Sequence, residues 1–343
     1  MRILLQAYNT FHQNKGGGVQ TRIKSLYNEY LKLGYDVSLF NKWSTKIEDF
    51  DIIHFFKLEY EHYNLIRYAK QIGKKIVLSS IIPLEHSFRI KFNLQLCKYI
   101  PIHTVIDLNK KILDMCDIVI TQSKAESYFI SKTYHIPVEK LTEQPNGFNQ
   151  SIVNGDPNII KEELPFKKDF ILQVGRIDSN KNQLNLIRAL KGTDIPLVII
   201  GGSDPYSNDY YEQCKMEAGH NVYFAGWISL TDPRLASAYA AAKVLVLPSK
   251  KETFGNVLIE GAMSGCTLAC SESLPILEFG IKKYIFTFNP NSIQDIRKSL
   301  ISAYNATTNP DQISFFKNRF SWQQIAQAHY NIYNTLFINK VSK

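Results

Sequence analysis

The chain has 343 residues, 45% of them hydrophobic and 21% charged, with a formal net charge of +9 at neutral pH. That length suits two domains of ordinary size, and the composition excludes disordered, fibrous and disulfide-stapled classes. No apolar run approaches the roughly 20 residues of a membrane span. The five cysteines (Cys97, Cys116, Cys214, Cys266 and Cys270) are scattered and never form CxxC, which predicts reduced thiols and no zinc site. Residues 1–7 are too short and too soon interrupted for a signal peptide, so a cytoplasmic protein is expected.

Residues 2–8 read as a first strand. The loop after it ends in Lys15-Gly16-Gly17-Gly18-Val19, and an amphipathic helix follows over 19–33, with Val19, Ile23, Leu26, Tyr30 and Leu33 on one face. Gly34 stops it, and 35–40 is the second strand. Three glycines let a backbone approach a phosphate closely, and a plain flexible loop has the same composition. The dinucleotide fingerprint is absent, because the third spaced glycine is missing. Residues 50–56 form a third strand carrying His54, read either as a core histidine or as a cleft residue. Asp49-Phe50-Asp51 has the form DxD, but it opens a buried strand and is read as chance. A further strand, 74–81, ends in Ser79-Ser80-Ile81, and His86 is the next histidine.

Residues 88–100 interleave Arg89, Lys91 and Lys98 with Phe88, Ile90, Phe92, Leu94, Leu96 and Tyr99. Positions 88, 92, 96 and 99 have helical spacing. A basic amphipathic helix can lie on an anionic bilayer, and a core-facing helix with a basic outer edge gives the same pattern. A strand at 115–123 and a helix at 124–134 follow, then the turn signal Asn146-Gly147. Residues 154–168 are polar, hold two prolines and read as a linker.

The second half opens with a strand, 170–175, then Arg176 and Lys181 ahead of a helix at 184–190. Arginine can grip two phosphate oxygens and lysine adds a mobile point charge, although a solvated basic edge has the same residues. The strand 196–202 ends in Gly201-Gly202, which could pass under a nucleotide base. Next come a strand at 221–227, a helix at 232–242 and a buried strand at 244–247. A polar turn bearing Glu252 leads to a helix that starts at Gly255-Asn256, carries Glu260 and stops at Gly265. Free N–H groups at that start favour an anion. Carboxylates on either side of it are poor phosphate ligands but good acceptors for hydroxyl groups. A nucleotide sugar fits this arrangement, and an ordinary βα unit with a solvated acidic helix start also accounts for it. Residues 266–270 are another strand, and a last helix runs from Phe320-Ser321-Trp322 to about 337.

Strand–helix alternation in both halves predicts an α/β protein of two domains with mainly parallel sheets. The stretch Pro248-Ser249-Lys250-Lys251-Glu252-Thr253-Phe254-Gly255, followed by Glu260-Gly261-Ala262-Met263, closely resembles the EX7E signature of retaining glycosyltransferases with the GT-B fold, in particular family 4. Gly175-Arg176 with Lys181, Gly16–Gly18, Asp51 to His54, Pro145-Asn146-Gly147 and Glu278-Phe279-Gly280 resemble further family elements. One departure stands out: the family often has a histidine just after the strand at 74–81, where this chain has serines. Either His86 takes that role or the role is absent.

The resemblance implies two Rossmann-like domains with a cleft between them, an acceptor domain over 1–155, a nucleotide-sugar domain over 156–320, and a C-terminal helix, 321–343, crossing back to the first. It implies that Glu252, Arg176 and Lys181 are catalytic, the last two holding the donor diphosphate, with Glu260 on the ribose. Gly16, Gly17, Gly18, Gly202, Phe254, Gly255, Asn256 and Val257 would contact the donor. His54 and His86 are candidates for the acceptor or sugar side. No metal and no cofactor are expected. The expected partners are a nucleotide-diphosphate sugar, a glycan or lipid-linked acceptor and the anionic inner face of a membrane, with no nucleic acid, since no recognition module is present. The implied role is retaining, metal-independent transfer in surface polysaccharide, lipopolysaccharide or glycolipid assembly. Two other classes stay open: a sugar-nucleotide epimerase or hydrolase, and a non-catalytic nucleotide-sugar or nucleic-acid binding protein.

Overall fold

A computed structural model describes residues 1–7, 18–82, 84, 86–100, 104–203 and 207–338. The chain divides into two compact units: Met1–Gly147 with Trp322–Lys343, and Phe148–Ser321.

The first unit contains β1 (Arg2–Gln6), α1 (Gly18–Lys32), β2 (Asp36–Leu39), β3 (Ile52–Phe56), α2 (Tyr63–Gln71), β4 (Lys75–Ser79), α3 (Ser87–Tyr99), α4 (Val105–Met115), β5 (Ile118–Thr121), α5 (Lys124–Tyr134) and β6 (Leu141–Glu143). Its sheet has the order β2-β1-β3-β4-β5-β6, and every pairing is parallel. The central strands are buried on both faces, which is why Ile-Ile-His-Phe-Phe in β3 shows no alternation.

The second unit contains α6 (Pro157–Glu163), β7 (Ile171–Val174), α7 (Gln183–Leu190), β8 (Leu197–Ile200), α8 (Asn208–Glu217), β9 (Val222–Gly226), α9 (Pro233–Ala241), β10 (Val244–Leu247), α10 (Asn256–Met263), β11 (Thr267–Ser271), β12 (Ile285–Phe288), α11 (Ile293–Asn305) and α12 (Gln312–Phe320). Its sheet is again parallel, in the order β12-β11-β10-β7-β8-β9. The two parallel sheets clad in helices are the expected α/β architecture.

The last helix, α13 (Trp322–Ile338), belongs to the first unit and lies against α1. Tyr330 stacks on Tyr35 with ring centroids 3.8 Å apart, and the Tyr35 hydroxyl donates to Gln327 Oε1 at 2.9 Å. Tyr333 enters a buried chain of hydrogen bonds, 2.9 Å from Tyr30 Oη and 2.6 Å from His54 Nδ1, and His54 Nε2 lies 2.9 Å from Ser79 Oγ.

Residues 154–168 are not a linker. They hold α6, and Ile160 in it and Leu164 just after it are buried in the second unit's core. Pro157 stands in the first helical turn, where a missing N–H goes unused, and Asp156 Oδ1 caps the helix by accepting from Asn158 N at 3.0 Å. The backbone of Ile160 donates to Ser237 Oγ at 2.9 Å and ties α6 to α9. The chain passes between the units at Gly147–Phe148 and again at Ser321–Trp322.

Candidate functional site

In the second unit β7 has β8 on one side and β10 on the other. The chain winds outward from β7 in one direction and later in the other, so β7 and β10 flank the topological switch point, and parallel α/β sheets bind ligands there, outside the strands' carboxyl ends. Both loops carry expected site residues. Lys181, from the first, makes an ion pair with Glu252 Oε1, from the second, and the Ser249 hydroxyl donates to the same oxygen at 2.7 Å.

The backbone around this pair is tied on every side. Asp178 Oδ1 accepts from Lys181 N at 2.8 Å and its Oδ2 accepts from Arg176 Nε at 2.6 Å. Asn180 stitches the two loops together: its carbonyl accepts from Lys250 N at 2.8 Å, its Oδ1 from Lys251 N at 3.0 Å, and its Nδ2 donates to Lys251 O at 2.9 Å. Asn182, at φ 62°, donates to Pro248 O and Pro290 O at 3.2 and 2.8 Å. The Arg176 side chain remains largely exposed, held at its base by Asp178.

α10 begins beside Glu252. Gly255, at φ 114°, is its N-cap and brings no side chain to cap the first turn. A Cβ at Gly255 would be strained in that conformation and would sit 3.2 Å from Leu247 Cδ2. The helix start therefore presents backbone N–H groups and the positive end of the helix dipole. Phe254 turns its ring into the core, 5.6 Å from Phe279 and 6.2 Å from Phe320, so only its backbone is available to a ligand. Asn256 and Val257 are half-buried on the first turn. One turn on, Glu260 Oε2 accepts from the Tyr239 hydroxyl at 2.7 Å. Burial pushes the Glu260 carboxyl above its ordinary range, and the Tyr239 hydrogen bond holds it down.

Beyond β8 the backbone is close-packed. A Cβ on Gly201, at φ 155°, would lie 2.0 Å from Gly175 O, a contact that only glycine permits. Ile177 N donates to Gly202 O at 2.9 Å, and the exposed Trp227 stands beside Gly202.

In the first unit, Gly18 opens α1 and is exposed, while Gly16 and Gly17 lie outside the described residues. His54 needs correction as an acceptor-side candidate. It is fully buried, both ring nitrogens are engaged within the unit, and burial holds its pKa well below the usual histidine value, so it stays neutral and faces no solvent. His86 is exposed just before α3, in the left-handed conformation at φ 59°. In Asp49-Phe50-Asp51, the Asp51 carboxylate accepts from Arg2 N at 2.7 Å and ties the starts of β1 and β3 together. Among the described residues no group of three metal-ligating side chains occurs. α3 also departs from the expected facing: Phe88 (80% exposed), Phe92 and Tyr99 point outward, whereas Ile90 and Leu94 pack on the core.

Sequence reading does not single out Asp178, Asn180, Ser249 or Tyr239. Asp178 and Asn180, inside the Arg176–Lys181 stretch, and Ser249, beside Pro248, lie within the matched motifs. Tyr239 carries no local signal.

Residues 156–315 match the family model of glycosyl transferases group 1. The chain is 29% identical over 240 residues to an uncharacterized glycosyltransferase of Methanocaldococcus jannaschii, covering 63% of this chain and 59% of the relative. It is 29% identical over 215 residues to the O-antigen chain mannosyltransferase of Salmonella typhimurium, covering 62% and 57%. The chain thus spans little more than half the length of either. Among solved structures, an Anabaena protein in complex with UDP superposes with a TM-score of 0.75 at 14% identity, over 98% of this chain and all of the other, a likeness of fold.

Proposed function

We propose that the chain is a retaining, metal-independent glycosyltransferase that moves a sugar from a nucleotide-diphosphate sugar to a glycan or lipid-linked acceptor. One observation carries this reading: the Lys181–Glu252 pair sits at the switch point of the second sheet, beside the uncapped start of α10. Arg176 and Lys181 take the donor diphosphate. The Gly255–Val257 backbone and Glu252 take the sugar. Glu260 accepts a ribose hydroxyl, Gly202 passes under the base, and the first unit receives the acceptor. The group 1 match and the UDP bound to the Anabaena neighbour support the donor class. The likeness to an O-antigen mannosyltransferase supports a place in surface polysaccharide assembly.

Glu252 is occupied by Lys181 and Ser249, so it is poorly disposed as a nucleophile and well disposed to orient a sugar hydroxyl. Retention then follows a front-face route. The acceptor oxygen bonds to the anomeric carbon as the bond to the leaving phosphate breaks, and a phosphate oxygen takes the acceptor's proton. Arg176 and Lys181 stabilise charge on the departing diphosphate.

A peripheral contact with the anionic inner face of a membrane has its own support. α3 exposes Phe88, Phe92 and Tyr99 beside Arg89 and Lys91. Among the described residues no helix is long and apolar enough to cross a membrane.

The test is thermal unfolding with UDP, GDP, ADP and their sugars, with and without EDTA, followed by NMR of the product anomer. A shift with one nucleotide, unchanged by EDTA, is expected. No shift with any of them overturns the donor reading, loss with EDTA overturns metal independence, and an inverted anomer overturns retention.

A further inference from the structure

The first unit buries a cation that nothing among the described residues pairs. Arg22, in the second turn of α1, is 1% exposed, and Nε, Nη1 and Nη2 all lack a hydrogen-bond partner. Both ring nitrogens of buried His329, on α13, lack one too. α1, which carries Arg22, packs against α13, which carries His329. The His329 ring lies 5.6 Å from His54 and 6.3 Å from Tyr333, and the charge on Arg22 lowers the pKa of both histidines.

Among the described residues, the carboxylate that acts on Arg22, Glu126, is committed elsewhere. Its Oε1 accepts from Ser80 Oγ at 2.7 Å and Ile82 N at 3.1 Å, and its Oε2 accepts from Gln122 N at 2.7 Å. Desolvation pulls Arg22 down to about 10, still charged at neutral pH. A buried guanidinium without partners is costly, and folded chains retain one where something completes it.

The location fits a ligand. Ser79 at the end of β4, which His54 bonds, Thr121 at the end of β5 and Glu126 in the first turn of α5 mark the carboxyl ends of the sheet, where parallel α/β sheets bind their ligands. Gly18, one turn before Arg22, is exposed.

We propose that Arg22, with His329, forms an anion site in the first unit that takes a phosphoryl group. The available donors favour phosphate over carboxylate: arginine brings five N–H groups and neutral histidine one more, against roughly four lone-pair sites on a carboxylate. Placing that phosphoryl group on the acceptor rests on the transfer reaction proposed above; the anion site itself does not.

The test follows thermal unfolding of the full chain at constant ionic strength with inorganic phosphate, a hexose 6-phosphate, the free hexose and UDP, in wild type, Arg22→Met and Arg22→Lys. Both phosphates are expected to stabilise the wild type and the free hexose to do nothing. Arg22→Met loses the phosphate response, and Arg22→Lys weakens it about tenfold. Without ligand, Arg22→Met unfolds at or above the wild-type temperature, because an uncompensated buried charge has gone. UDP, which reads the second unit, acts equally on all three, so a chain blind to UDP overturns the donor reading and leaves this one standing. A stronger response to hexose phosphate assigns the phosphoryl group to a sugar acceptor; a response to inorganic phosphate alone assigns it to a free anion. A wild type indifferent to both phosphates overturns the site, as does an equal response in Arg22→Met. If Arg22→Met does not fold, Arg22→Lys decides, and an undiminished phosphate response there overturns the proposal.

Discussion

Lys181 and Glu252 stand 71 residues apart in sequence and form an ion pair that joins the loops after β7 and β10. Each side chain is largely withdrawn from water. The same lysine can turn to a diphosphate, because its backbone is held by Asp178 and not by the pair. Lys181→Ala is expected to lower turnover about a hundredfold or more, the scale on which transition-state charge is lost. Arg176→Ala, at a largely exposed side chain, should do likewise with the unfolding temperature almost unchanged. Steady-state kinetics and thermal unfolding of both variants check this, and near-normal turnover of Arg176→Ala would sink its assignment.

Tyr239 tunes Glu260. Its hydroxyl favours the ionised carboxylate, so Tyr239→Phe raises the Glu260 pKa further. If ionised Glu260 accepts the ribose hydroxyl, nucleotide affinity falls on acidification, and in Tyr239→Phe that limb moves to higher pH. Nucleotide titrations from acid to neutral pH, on both proteins, read the displacement.

Gly255→Ala combines an unfavourable φ with a close approach to Leu247. A cost of about 1–3 kcal/mol in unfolding free energy is expected. Nucleotide affinity should drop as well, because the N–H groups of α10 are re-aimed. Denaturant unfolding and a binding isotherm measure the two losses separately.

Burial depresses the pKa of His54 and His329 well below the free value. An unfolded chain then binds more protons than the folded one below about pH 6.5, so their contribution to stability is complete above that pH and declines as pH falls toward the folded pKa. The raised carboxyls of Glu126 and Glu260 act in the opposite sense, since their contribution is present at low pH and lost as pH rises. His329→Phe, which breaks no protein hydrogen bond of the ring, should flatten the histidine part by up to about 1.4 kcal/mol per pH unit. Urea unfolding between pH 5 and 8, at about half-unit steps, gives the slope.

On α3, Phe88→Glu with Phe92→Glu is expected to abolish binding to vesicles containing anionic lipid while leaving the unfolding temperature close to wild type, since both rings are already exposed. Co-sedimentation at low and high salt is the measurement. Undiminished binding by the double variant would remove α3 from the contact.

Much of the candidate site in the second unit was legible in the chain. Val244–Leu247 reads as a buried strand, Gly265 as a helix stop and Glu252 with Glu260 as a motif because turn chemistry and periodicity are set by near neighbours. The residues that hold the site were less legible. Asn180 reaches across to Lys250 and Lys251, and Tyr239 reaches Glu260, only because β7 lies next to β10 and α9 packs near α10. Residues 154–168 looked like a linker because proline and polar residues mark both loops and helix starts, and the burial of Ile160 decides between them.

Local pattern by itself determined the alternation of strands and helices, two domains' worth of parallel sheet and the order of the charged loops along the chain. The tertiary structure alone decided which of those charges meet and which faces are wet. The spacing of Phe88, Phe92 and Tyr99 suits a core-facing stripe as well as an exposed one, and the core took Ile90 and Leu94 instead. A lone His54 reads the same in a core or a cleft until Tyr333, 279 residues on, arrives to bond it. Periodicity says that a side chain has a face; only packing against elements distant in sequence says what that face is turned toward.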